Sequence, residues 1–294
     1  MSATINRIVS ELNKDGFSKC HISELLSNGD LKKFKRLEDF YKKFRNHKVI
    51  KDRIKKINEG IPDPSIQKWY EIRAQEFLKN KVTLGNPDID LYSSETFIKI
   101  AQLFYNEKKI RVRGIESWIH PKTGFKRQIN SQNWHRDQED FKILKIFIAL
   151  NNIENENGPT EFIKETQYGG KFEDITYNMR WLDYYLNPNI LKKIRNAYVK
   201  RFKRYKMRYR PPERNFIKAT GEKGTVFFIN SNGLHKGGFV KKGERHLTHA
   251  CYLKHDAPMI SYDKLKSFNN QTHFIDYNSK EYFALSEAQK ELFK

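Results

Sequence analysis

The chain has 294 residues, 38% of them apolar and 14% aromatic; that supports a packed core and excludes a wholly disordered polypeptide. No stretch approaches the ~20 apolar residues of a membrane span, and Glu11, Lys14 and Asp15 come too early for a signal peptide. Lys and Arg outnumber Asp and Glu 56 to 35, and the resulting charge of +21 predicts attraction to polyanions, acidic surfaces or anionic small molecules. A lysine-rich solvated surface accounts for the same number. Two cysteines, Cys20 and Cys251, cannot form a disulfide framework or a cysteine zinc site, so the expected compartment is the cytoplasm with both thiols reduced.

The first hundred residues read mostly as helix. Ile5, Ile8, Val9 and Leu12 recur at helical spacing, and Gly16 supplies a left-handed stop. Leu31, Phe34, Leu37, Tyr41 and Phe44 mark a second, lysine-rich helix. Asp63-Pro64 predicts the start of a third, carrying Ile66, Trp69, Tyr70 and Phe77, and Ser93-Ser94-Glu95 opens a fourth through Phe104. After Asn106 the period becomes alternating. Strands are expected from Ile110 to Ile119, from Lys142 to Leu150, from Thr160 to Ile163 and from Thr225 to Asn230. Lys241-Lys-Gly-Glu244 reads as a hairpin turn, with Arg245 to Leu253 returning beside the strand that ends at His235.

Helices first and short strands after predict α+β, mainly β: a helical layer (1–106) on an antiparallel jelly-roll core (107–170 and 215–255) in a single 1–294 domain. Residues 171–214 form an insert or lid between core strands, and 256–294 a C-terminal extension. From Lys192 to Arg214 the insert holds eleven Lys or Arg, interleaved with Tyr198, Phe202, Tyr205 and Tyr209. Its Lys200, Arg201, Lys203 and Arg204 are candidates to attract an anionic substrate; an ordinary amphipathic helix has the same pattern.

His135-Arg136-Asp137 is the sharpest local feature. In extended chain, residues i and i+2 point to one side, so His135 and Asp137 can grip one metal ion from a single segment. His235, at the end of the apolar run that starts at Thr225, offers a third ligand, and Gly237-Gly238 lets other groups approach it. Two His and one carboxylate form the facial arrangement of non-haem Fe(II) oxygenases, though tetrahedral zinc accepts the same residues. Arg245 follows ten positions later. On a hairpin it would sit on the order of 10–15 Å from His235, where its planar fork could receive the far carboxylate of a metal-bound dicarboxylate. Taken singly, each of these residues has a plain structural reading as a hydrogen-bonded histidine or a surface arginine.

The run WHRDQEDFKILKIFIALNNIENENGPTEFIKET, with GTVFFINSNGLHKGG and ERHLTHACYL after it, resembles the phytanoyl-CoA dioxygenase family of Fe(II)/2-oxoglutarate oxygenases over roughly 110–253. The resemblance implies a double-stranded β-helix, Fe(II) on His135, Asp137 and His235, 2-oxoglutarate salted onto Arg245, and O2 as oxidant. Thr248, Lys145 and Asn133 are lesser candidates for the cosubstrate pocket, and Trp134 for substrate. Asp137 keeps the carboxylate that halogenating relatives lack, which implies hydroxylation. Glu165-Thr-Gln-Tyr-Gly-Gly170 departs from the usual Gly-Ser-His of the substrate-side loop. The expected substrate is a small, anionic or carrier-linked organic molecule. The alternatives are the same chemistry on nucleic acid, or a degenerate binding module.

Overall fold

A computed structural model describes residues 2–63, 69–74, 87–124, 130–137, 140–175, 207, 209–255 and 257. The basic run with Lys200, Arg201, Lys203 and Arg204, the start of the helix expected at Pro64, and nearly all of the 256–294 extension lie outside the described residues.

The N-terminal spacing becomes helix α1 (Ala3–Asp15), with the Ser2 side chain accepting from the Ile5 N–H. Gly16 closes it at φ 75°, and a side chain there would strike Gln167 and Phe162, so both conformation and space select glycine. Helices α2 (Asn28–Asn46), α3 (Lys48–Asn58), α4 (Pro87–Tyr92) and α5 (Glu95–Tyr105) follow in the layer. Ser27 caps α2 by accepting from the Asp30 N–H.

Ile72 and Arg73 depart from the helix that Asp63-Pro64 predicts. They form an edge strand, β2 (Ile72–Arg73), paired with Ile119 and Trp118. Tertiary packing outweighs local propensity here, because the strand buries Ile72 among Ile50, Ile54, Ile57 and Ile119.

The remaining strands are β1 (Phe17–His21), β3 (Ile110–Pro121), β4 (Leu144–Ala149), β5 (Glu161–Ile163), β6 (Phe216–Lys218), β7 (Thr225–Asn230), β8 (His235–Lys236) and β9 (Glu244–Lys254). A six-stranded antiparallel sheet runs β1-β7-β4-β9-β3-β2, and a three-stranded sheet runs β6-β5-β8. Their facing sides share Phe17, Phe147, Phe162, Phe227 and Leu247, so the chain is a double-stranded β-helix. The larger sheet's other face packs Leu144, Ile146, Ile148, Phe228 and Tyr252 against the helices. With both faces covered, β4 and β7 read as almost continuous apolar runs.

The hairpin expected at Lys241–Glu244 does not pair its flanks. β8 pairs with β5, whereas β9 pairs with β3 and β4, so His235 and Arg245 lie on opposite sheets. The connection is pinned to a neighbouring loop, where Lys241 and Lys242 donate to the Glu156 carbonyl. Gly238 packs directly on the backbone of Gly158 and Pro159, the close approach that Gly237-Gly238 suggested. The crossover matters because it turns two neighbours in sequence into opposing walls of one cavity.

Tyr105 ties the helical layer to the sheet. Its hydroxyl donates to the Tyr252 carbonyl at 2.7 Å and accepts from the Leu144 N–H at 2.9 Å. Tyr105→Phe strands both backbone groups in the core and is expected to cost about 1–3 kcal/mol, read by denaturant unfolding.

Candidate metal centre

The ligand-bearing segments are held by backbone before any metal is considered. His135 and His235 form an antiparallel bridge, each N–H donating to the other's carbonyl at 2.9 Å. The Asp137 N–H donates to the Ser231 carbonyl at 3.0 Å and extends the pairing. The two imidazoles stand 4.3 Å apart between centroids.

Each ring is oriented the same way. His135 Nδ1 donates to the Asn133 carbonyl at 2.8 Å, and His235 Nδ1 to the Gly233 carbonyl at 3.0 Å. A carbonyl only accepts, so each Nδ1 carries the proton and each Nε2 presents a lone pair. One ligand atom from each of His135, Asp137 and His235 lies within 4.8 Å of the others. This set can hold one divalent cation on one side and leave the other side open.

Charge readies the set for a cation. Burial pushes the His235 pKa down to about 3, with His135 adding to the shift, so the ring is neutral at pH 7. Burial opposes ionisation of Asp137. The Lys145 ammonium, 2.6 Å from Oδ2, overcomes that and holds the carboxyl well below the usual carboxylate range.

Arg245 lines the same cavity of about 220 Å³. It is 3% exposed, and its Nε and Nη1 find no hydrogen-bond partner among the described residues. Burial lowers its pKa only to about 10, partly offset by Glu71, so it stays charged. A buried guanidinium with two unmet donors is costly unless an anion completes it. The far carboxylate of a metal-bound dicarboxylate is an anion of the kind that would complete it.

The lesser candidates separate by face. Lys145 lines the cavity through its pair with Asp137. Asn133 contributes its backbone carbonyl, which orients His135. Thr248 is corrected: it is three residues from Arg245, so strand alternation turns it to the helix side. There its hydroxyl donates to Asp88 at 2.9 Å, in a cluster with Tyr41 and Ser117. Trp134 alternates with His135 and packs outward, its ring against Phe216 and under the Lys236 ammonium.

Sequence reasoning missed two groups. Arg136, between two candidate ligands, points away from the cavity and donates to the carbonyls of Thr166, Asn232 and Glu173. The other group is the cavity wall on β2 and β3. Glu71 accepts from Arg73 Nε at 2.8 Å and pairs with His120 Nε2 at 3.1 Å, while Glu116 accepts from Trp118 Nε1 at 2.9 Å. Its available signal was the alternation of Glu116, Trp118 and His120 with Ile115, Ser117 and Ile119.

Residues 34–244 match the model of the phytanoyl-CoA dioxygenase (PhyH) family. The chain belongs to that family. Iron and 2-oxoglutarate, with O2 as oxidant, are therefore its cofactors, and its chemistry is that of an Fe/2-oxoglutarate oxygenase. The two histidines, the carboxylate and the unsatisfied arginine fit both groups. No curated protein matches this chain. The solved structure of the epimerase SnoN with Fe3+, alpha ketoglutarate and nogalamycin RO shares the fold at TM-score 0.51 and 13% identity, over 86% of this chain and 84% of that one. EctD from S. alaskensis with 2-oxoglutarate and 5-hydroxyectoine has TM-score 0.47 and 16% identity, over 87% and 77%. HygX from Streptomyces hygroscopicus, with nickel, 2-oxoglutarate and hygromycin B bound, has TM-score 0.46 and 12% identity, over 87% and 88%. Among the described residues no helix is long and apolar enough to cross a membrane.

Arg136→Met keeps the bulk of the side chain but removes its donors to three carbonyls. We expect a stability loss of at least about 2 kcal/mol and a weaker Fe(II) site, although Arg136 carries no ligand; chemical denaturation and anaerobic metal titration read the two effects.

Proposed function

We propose that the protein is a hydroxylase of a small organic substrate, with Fe(II) held by His135, Asp137 and His235 and the far carboxylate of 2-oxoglutarate held by Arg245. The observation that carries this reading is the pairing of a preoriented His–Asp–His set with a buried, incompletely bonded arginine in one cavity. When bound, iron and 2-oxoglutarate supply the oxidation: one oxygen atom of O2 enters succinate with loss of CO2, and the other becomes available to a substrate C–H bond.

The protein's own residues prepare that chemistry. The carbonyls of Asn133 and Gly233 accept from Nδ1 of each imidazole, so that Nε2 is the nitrogen turned to the metal site. Lys145 keeps Asp137 ionised and fixes one of its oxygens, so the carboxylate does not rotate freely. Arg245 orients the cosubstrate by binding the end remote from the metal. Phe147 and Leu247 border the cavity between these charges and limit water. Asp137 supports hydroxylation over halogenation, because a carboxylate occupies the position a halide would need. An anionic or carrier-linked substrate remains the reading of the basic insert, whose lysines and arginines lie outside the described residues. Two buried free cysteines are in keeping with the reducing cytoplasm as its compartment.

Two variants test the assignment separately. His235→Ala should abolish both Fe(II) binding and 2-oxoglutarate turnover; near-normal turnover would sink the ligand set. Arg245→Ala removes a buried charge-assisted pair worth about 2–5 kcal/mol, so 2-oxoglutarate affinity should fall roughly thirty-fold or more, with Fe(II) affinity little changed. An unchanged 2-oxoglutarate titration would show that Arg245 has another task.

A further inference from the structure

The cavity holds two buried acceptors that neither the metal nor the cosubstrate uses in this reading. Glu116 on β3 and His249 on β9 are direct cross-strand partners, 8% and 5% exposed. Glu116 Oε2 accepts from Trp118 Nε1 at 2.9 Å, whereas Oε1 has only the Arg73 Nη1 atom at 3.7 Å, too far for a hydrogen bond. His249 Nδ1 lies 3.3 Å from the Glu116 carbonyl, so it carries the proton and Nε2 is the acceptor. Burial lowers the ring's pKa to about 4, which keeps it neutral at pH 7. Nε2 has no hydrogen-bond partner among the described residues.

The surroundings select the donor these acceptors require. The His249 ring packs 4.3 Å from Trp118 and stacks 5.1 Å from Phe147, which fixes the direction in which Nε2 presents its lone pair. Lys145 is matched to Asp137 at 2.6 Å, and Arg73 is held by Glu71 at 2.8 Å and reaches Glu116 only at 3.7 Å, while the donors of Arg245 are assigned to the cosubstrate in this reading. A carboxylate oxygen and a neutral imidazole nitrogen, side by side on neighbouring strands, form a site for an ammonium. They repel an anion, and they solvate an acyl chain poorly.

We infer that Glu116 and His249 bind the protonated amine of a small primary-amine substrate, which would sit beside the candidate iron ligands. This rests on the hydroxylase reading and names its substrate class. The volume of about 220 Å³, shared with 2-oxoglutarate, confines the part of the substrate inside to a compact group. Charge elsewhere on the substrate would lie outside this pocket.

The test is an anaerobic titration of the protein loaded with Fe(II) and 2-oxoglutarate. The probes are free amino acids, amino sugars and polyamines, each matched with the hydroxy compound of the same skeleton, together with short acyl thioesters. At least one primary amine should bind tenfold or more tightly than its hydroxy counterpart, and release succinate in step with its own consumption once O2 is admitted. Glu116→Gln and His249→Phe, which keep the planar end of the side chain and the ring stack, should each weaken that amine about tenfold. Preferential binding of the hydroxy compounds or thioesters, no amine binding, or full amine affinity in both variants overturns the inference. The wild-type preference decides even if a variant fails to fold. The product tests the hydroxylase reading separately: an amine consumed without gaining an oxygen atom would sink that reading while the amine titration still stands or falls alone.

Discussion

The reciprocal pair of backbone hydrogen bonds between His135 and His235 is the contact on which the site depends. It joins two segments a hundred residues apart in sequence, and each bond is 2.9 Å long. Because the bonds are main chain to main chain, they leave both imidazoles free for other work. The carbonyl two residues back along each segment then accepts a hydrogen bond from the Nδ1–H. The result is two rings whose Nε2 atoms are turned together, and burial keeps that of His235 neutral. Arg136 braces the same segment from behind through three carbonyls, so the candidate ligands do not have to hold their own backbone in place.

The period of two along β3 and β9 divides the chemistry between two faces. Glu116, Trp118 and His120 line the cavity with Arg245, Leu247 and His249. Ser117 and Thr248 face the helices, where they share hydrogen bonds with a buried Asp88. That carboxylate has hydroxyl partners from Tyr41, Ser117 and Thr248, and burial lifts its pKa to about 6. One sheet thus separates a polar anchor for the helical layer from the pocket.

Charge inside the cavity is distributed unevenly. Asp137 and Glu71 are closely paired with Lys145 and Arg73, and those pairs hold geometry more than they add stability. Arg245 is the exception, since two of its buried donors are unmet. A buried group left incomplete in this way is expensive, and its retention is intelligible where an anionic cosubstrate completes it. Family membership names 2-oxoglutarate as a cosubstrate with such a carboxylate.

Much of this was legible in the chain itself, because it depends on local spacing. Helical periodicity with Gly16 as a stop located α1, alternation located β3, β4 and β7, and the His-x-Asp spacing with a later His and Arg pointed to the iron and 2-oxoglutarate family. What tertiary structure alone decided is which strands meet. A turn signal at Lys241–Glu244 specifies a reversal but not its partner, and pairing sent β8 to one sheet and β9 to the other. Ile72 became an edge strand because an isoleucine cluster was there to receive it. The sides taken by Thr248 and His249 followed from strand phase, which no single residue announces. The wall of Glu71, Arg73 and Glu116 is assembled from β2 with its flank and from β3, some forty residues apart in the chain, so only the fold could bring those charges to one cavity.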